Sequence, residues 1–225
     1  MMSGSSTKGV FISFEGGEGS GKSTQIKLMH NWIQGVWSGK VSSTREPGGT
    51  HGAEMIRKLL VTGDSSRWDS VTEALLMTAS RRDNLMRIIK PALEAGEALL
   101  TDRFYDSTSV YQGIVGGVSD ELITALNTLS LDFIKPDITI LLDIDPESGL
   151  QRSTRPDNDE TRFESKGMAF HQAVREGYLK LAAAEPERFM VIDASRNEKM
   201  IHDDIIAQLE PKLRAMMAAN AKSER

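Results

Sequence analysis

The most informative stretch of the chain is VFISFEGGEGSGKST, Val10 to Thr24. An apolar run ends in glycines, and the glycines lead into Lys-Ser-Thr at the head of an amphipathic segment. Gly16-x4-Gly21-Lys22-Ser23 fits the pattern G-x-x-x-x-G-K-[ST]. Glycines permit positive φ and let backbone N–H groups approach phosphate oxygens. A helix starting near Gly21 points its positive end at the same place. In such a loop Lys22 reaches the β- and γ-phosphates and Ser23 is a Mg²⁺ ligand. The whole segment, Gly16, Gly17, Glu18, Gly19, Ser20, Gly21, Lys22, Ser23 and Thr24, is therefore expected to hold a nucleoside triphosphate.

Further along the chain, apolar runs at Val10–Phe14, Ala98–Asp102, Ile138–Ile144 and Phe189–Asp193 read as buried strands, with a weaker fifth at Lys40–Arg45. They lack a period of two, which predicts a parallel sheet covered on both faces. Between them, apolar residues recur at helical spacing: Ile26, Met29, Ile33 and Trp37; Leu122, Leu126 and Leu129; Ile201, Ile205, Leu209 and Leu213. Strands alternating with helices predict an α/β fold with a doubly wound sheet, whose ligands gather beyond the C-terminal strand ends. Asp102 ends one such strand. An acid there commonly holds Mg²⁺ in phosphate-loop proteins, so Asp102 joins Ser23 as a candidate metal ligand.

The 225 residues suit one domain at 10–218, with a disordered leader at 1–9 and a flexible tail at 219–225. The chain has no cysteine, which excludes a disulfide scaffold and thiol catalysis and suits a reducing cytosol. The net charge of -5, without a long basic run, argues against nucleic acid or an anionic membrane as the main partner. No apolar stretch approaches the ~20 residues of a membrane span. The four histidines are scattered without metal-ligand spacing, and Trp32 and Trp37 read as core or interface residues of the first helix.

The loop alone does not separate switches, motors and kinases. The D-x-x-G and N-K-x-D strings expected of a GTPase switch are absent. Arginines crowd the expected strand ends instead, at Arg45, Arg81, Arg82, Arg103, Arg152, Arg155 and Arg162. Guanidinium groups bind phosphates bidentately, so a second anionic substrate is expected.

FEGGEGSGKST, TREPGGT (Thr44–Thr50), DRFYDSTSVYQG (Asp102–Gly113), KPDITILLDIDPESGLQR (Lys135–Arg152) and TRFE (Thr161–Glu164) occur in this order. From about Val10 to Asp193 the chain resembles the thymidylate kinases. The pairing of REPGGT with DR…S…YQG separates that family from other nucleoside monophosphate kinases. The resemblance implies a phosphate-loop kinase fold on a five-stranded parallel sheet and ATP-dependent conversion of dTMP to dTDP with Mg²⁺. It further implies a homodimer joined through helices of the first half, and the sequence itself predicts a soluble, cytoplasmic protein. By position, Arg103 resembles the arginine on the acceptor phosphate, Glu18 the acid near the acceptor's 3′-hydroxyl, and Arg81 the arginine bonded to thymine. Tyr111 and Gln112 match the pair lining the nucleoside pocket; Pro47 and Ser107 also fall at acceptor-site positions.

The polar segment 151–164 reads as a lid. Because Gly17, Glu18, Gly19 and Ser20 supply no arginine in the phosphate loop, the chain resembles the bacterial subgroup that brings one from the lid. Arg155 is the first candidate for that catalytic role and Arg162 the second, while Arg152 is placed against adenine. Two positions depart from the family's pattern. Met77 stands where phenylalanine usually stacks on thymine, and Ser80 where many members carry an acid. Methionine can cover a ring face but orders it less than an aromatic does. The rival readings are accordingly a monophosphate kinase of altered base preference and a nucleotide-binding regulator without catalysis.

Overall fold

Every residue of β1 (Val10–Glu15) is buried, as expected for a central strand packed on both faces. The computed structural model describes residues 9–64, 66–153, 162–163 and 166–223. The other strands are β2 (Val41–Arg45), β3 (Ala98–Asp102), β4 (Ile138–Asp143) and β5 (Phe189–Asp193). They form one five-stranded, all-parallel sheet in the order β2-β3-β1-β4-β5. The edge strands β2 and β5 alternate buried and more exposed positions, and for them the expectation of continuous burial gives way to the ordinary pattern of a strand with one open side.

The helices are α1 (Lys22–Val36), α2 (His51–Val61), α3 (Ser70–Asn84), α4 (Lys90–Glu94), α5 (Tyr105–Thr108), α6 (Asp120–Leu131), α7 (Pro146–Arg152), α8 (Met168–Ala184) and α9 (Glu198–Ser223). A π-helical turn at Leu85–Ile89 continues α3 into α4, and another at Ser109–Ile114 follows α5. Val10, Ile12 and Phe14 of β1 face a core built with Ile26, Met29 and Ile33 of α1 and Ile201, Ile205, Leu209 and Leu213 of α9. Phe11 points the other way, onto Leu85, Ile89, Leu99 and Phe104. Each fully buried Leu, Ile or Phe stabilises the fold by about 1.5–3 kcal/mol relative to exposure. The sheet is thus held from both sides, and its C-terminal strand ends are rigidly placed.

Three local expectations change. Trp37 lies just past α1 rather than within it; it is buried, and its indole N–H donates to the Gly96 carbonyl at 3.0 Å. Leu129 is 76% exposed, because the inner face of α6 is formed by Ile123, Leu126 and Leu131. The last helix continues to Ser223, through residues expected as a tail; the alanine-rich run there favours helix. At the other end Gly9 already donates to Leu93 O at 3.1 Å, while residues 1–8 lie outside the described residues.

Candidate active site

Strands β1 and β3 are neighbours in register, Phe14 beside Asp102. Their ends therefore deliver the glycine loop and the Asp102-Arg103 pair to the same place, and the Arg103 N–H donates to Phe14 O at 2.9 Å. Gly19 has φ 66 and packs so closely on α7 that a Cβ there would collide with the Gly149 carbonyl. Only glycine allows this approach. Gly21, with φ 88, turns the chain into α1.

Lys22 is buried, and its ammonium donates to the carbonyls of Gly16 (3.0 Å) and Gly17 (2.9 Å). Burial, with Arg103 nearby, pushes its pKa down, against the pull of Asp102, Glu18 and Glu15. Ser23 Oγ donates to Asp102 Oδ2 at 3.2 Å, so the two expected metal ligands meet. Among the described residues no cluster of three or more His, Cys, Asp or Glu could hold a metal. One carboxylate and one hydroxyl fit Mg²⁺ nonetheless, because that ion keeps waters and substrate phosphate oxygens in its shell.

Arg103 adopts φ 67, unusual for a residue with a side chain. Its guanidinium reaches Glu18 Oε1 (2.9 Å), Ser107 Oγ (3.2 Å) and Tyr178 OH (3.0 Å), and stacks 5.1 Å from the Tyr111 ring centre. Burial would raise the Glu18 carboxyl, but Arg103 and then Lys22 outweigh it and hold the group below the usual carboxylate range. Glu18 is therefore charged at neutral pH.

A cleft of about 830 Å³ opens above these strand ends. Its walls include Glu18, Gly19, Ser20, Gly21, Lys22, Ser23, Thr24, Asp102 and Arg152 on the loop side. On the other side stand Pro47, Met77, Arg81, Arg103, Ser107, Tyr111 and Gln112. Gly16 and Gly17 line a smaller cavity behind the loop. Arg81 is buried and pairs with Glu46 Oε2 at 2.8 Å; its Nη2 donates to Thr108 Oγ1 at 2.8 Å, and its buried Nη1 has no hydrogen-bond partner among the described residues. Pro47 follows a cis peptide bond. Gln112 is held by Glu73 (3.0 Å), and Arg152 donates to the carbonyls of Ala194 and Ser195, both at 2.7 Å. Ser80 is buried and accepts from the Gly48 N–H at 3.1 Å, which braces the Pro47 loop.

Arg155 lies outside the described residues. Arg162, the second lid candidate, is fully buried: it pairs with Glu73 (2.5 Å) and donates to the carbonyls of Leu60 (3.1 Å) and Asp64 (3.0 Å). Those contacts belong to α2, α3 and the turn between them, and Arg162 is not among the described residues that line the cleft. Three further residues escaped the sequence reading. Arg57 lines the cleft and donates to Pro47 O at 2.8 Å. Glu15 and Tyr178 sit beneath Arg103. A charged residue ending a fully buried run was a usable signal for Glu15; Tyr178, far along the chain on α8, gave none.

A triphosphate loop and a second anion-binding arginine that share one cleft on this sheet define a phosphate-loop kinase of nucleoside monophosphates. A family model described as Thymidylate kinase matches residues 14–205, and the chain belongs to that family. It is 51% identical over 188 residues to the thymidylate kinase of Caulobacter vibrioides, covering 84% of this chain and 89% of that one. With the thymidylate kinase of Symbiobacterium thermophilum it shares 46% identity over 204 residues, 91% and 94% of the two chains. The crystal structure of thymidylate kinase from Ehrlichia chaffeensis superposes with a TM-score of 0.74 at 34% identity, covering 90% of this chain and 99% of that one.

Proposed function

We propose that this chain transfers the γ-phosphoryl group of ATP to dTMP, giving dTDP and ADP, with Lys22, Arg103 and Glu18 organising the transfer. The observation that carries the reading is that the loop holding Lys22 and the strand end holding Arg103 share one cleft, joined by the Glu18–Arg103 ion pair. Phosphoryl transfer asks for positioning and charge neutralisation rather than covalent chemistry from the protein.

The loop's N–H groups and Lys22 orient the ATP phosphates, and Arg152 borders the adenine side. Ser23 and Asp102 would hold Mg²⁺, which would supply neutralisation of the phosphates' charge. Arg103 fixes the acceptor phosphate in line. Glu18, charged and anchored by Arg103, accepts a hydrogen bond from the sugar's 3′-hydroxyl. Met77, Tyr111, Gln112 and Pro47 wall the base, and the unpartnered Nη1 of Arg81 donates to it. Ser107 braces Arg103. Arg155 is assigned to the transferring phosphoryl on the strength of the family resemblance.

The chain works as a cytoplasmic homodimer. Exposed Met55, Leu59 and Leu75 on α2 and α3 supply apolar surface on the first-half helices expected to pair. The cysteine-free composition suits the cytosol. Among the described residues no helix is long and apolar enough to cross a membrane.

Steady-state kinetics of two variants test the reading. Lys22→Ala should lose about 10²-fold or more in kcat. Arg103→Ala should raise the KM for dTMP and lower kcat, with the KM for ATP little changed. Wild-type turnover in both would overturn it.

A further inference from the structure

Beneath Arg103 lies a carboxylate that the reaction itself does not use. Glu15 is fully buried at the end of β1, one residue before the glycine loop. Its Oε1 accepts from the Phe104 N–H at 2.7 Å, immediately after Arg103. Its Oε2 accepts from Ser107 Oγ at 2.7 Å and from Tyr178 OH at 2.9 Å. Those same two hydroxyl oxygens are the ones that accept from Arg103 Nη1.

We infer that Glu15 is a positioning residue for Arg103, acting from behind through Ser107 and Tyr178. A hydroxyl has one proton to give. Ser107 Oγ and Tyr178 OH also lie 2.8 Å apart, but the ionised Glu15 carboxylate is the stronger acceptor and draws the proton of each. Their lone pairs are then left facing the guanidinium. The Phe104 N–H contact pins the backbone just past the residue at positive φ. One carboxylate therefore sets both the backbone conformation of Arg103 and the direction of its side chain. The direct Glu18 contact fixes the guanidinium from the cleft side, and Glu15 fixes it from the core side.

The charged groups around Glu15 are Arg103, Asp106 (itself paired with Arg188 at 2.7 Å) and Lys22. Burial and Asp106 push the Glu15 carboxyl up to about 7 against the pull of Arg103. An assay at about pH 8 holds it in the acceptor-only form the arrangement needs.

The inference rests on Arg103 being the acceptor-phosphate arginine, and the test separates the two. Glu15→Gln keeps the shape but replaces one acceptor oxygen with a donor. Holoenzyme kinetics with ATP and Mg²⁺ at pH 8 should show kcat/KM for dTMP falling about tenfold or more, as for a mispositioned binding group, with the KM for ATP within about twofold. Combined with Arg103→Ala, the same substitution should change kcat/KM less than about twofold, because its target is gone. Equal losses in both backgrounds, a matching rise in the KM for ATP, or no loss at all would overturn the inference while leaving the Arg103 assignment standing. An Arg103→Ala variant with wild-type kinetics would overturn that assignment and this inference together. If Glu15→Gln does not fold, Tyr178→Phe gives the same comparison, with an expected loss of about threefold or more that vanishes in the Arg103→Ala background.

Discussion

Glu18 Oε1 and the Arg103 guanidinium stand 2.9 Å apart, a contact that ties the donor loop to the acceptor strand end. Both side chains are largely buried, so the pair is set in place before substrates arrive. Removing the carboxylate frees Arg103 and deletes the proposed acceptor of the sugar hydroxyl. Glu18→Ala should lower kcat/KM for dTMP by about 10–10²-fold, with a smaller change in the KM for ATP. Steady-state rates with each substrate varied in turn measure this.

Arg162 separates a structural from a catalytic role. It is fully buried against Glu73, which also holds Gln112 on its other oxygen. Arg162→Ala leaves Glu73 buried and uncompensated, which should cost about 3–5 kcal/mol of stability in urea unfolding. A variant of wild-type stability with a selectively reduced kcat would return Arg162 to the catalytic role.

Glu46 makes the fold's stability respond to pH. Burial pushes its carboxyl up to about 6, against the pull of Arg81. The folded state binds the proton more tightly than the unfolded chain, whose value is 4.5. The contribution is therefore fully present below that value and lost as pH rises through about 6. Relative to Glu46→Gln, the wild type should gain roughly 1 kcal/mol on going from pH 7.5 to pH 5. Chemical denaturation of both proteins at the two values reads the difference; a gain toward high pH would reverse the assigned sign.

Met77 lines the cleft, at the position to which the family resemblance assigns a phenylalanine. Aromatic stacking is worth about 0.5–1.5 kcal/mol beyond area burial. Met77→Phe should lower the KM for dTMP by about 2–10-fold and leave the KM for ATP unchanged. An unchanged KM for dTMP would mean that Met77 does not face the base.

What the sequence made legible follows from how local each signal is. Gly16 to Thr24 is a contiguous motif with a backbone purpose, so its loop, its Lys22 and the following helix could be read directly. Four strands stood out because their short runs are nearly free of charge, while Lys40–Arg45, charged at both ends, gave a weaker signal. Ser23 and Asp102 lie within hydrogen-bond reach because a parallel sheet brings both beside the loop. Arg162 was harder: among polar neighbours it reads as a free lid arginine, and only folding reveals Glu73 and the carbonyls of Leu60 and Asp64 around it. Glu15 and Tyr178 are separated by 163 positions, and their contact exists only once β1 and α8 pack together. Leu129 misled for a simpler reason. The stripe Leu122-Leu126-Leu129 and the true inner face share Leu126, and a rotation of one residue decides between them.

The most direct measurement is ADP release with ATP and Mg²⁺ across dTMP, dUMP, dCMP, GMP and AMP, beside a control without acceptor. The cleft described here should turn over dTMP at least about tenfold better in kcat/KM than any of the others, as pocket contacts to a base can discriminate. ADP should not accumulate without an acceptor. Equal turnover of several monophosphates would contradict the dTMP assignment, and ADP release independent of acceptor would contradict the shared cleft as a site of transfer.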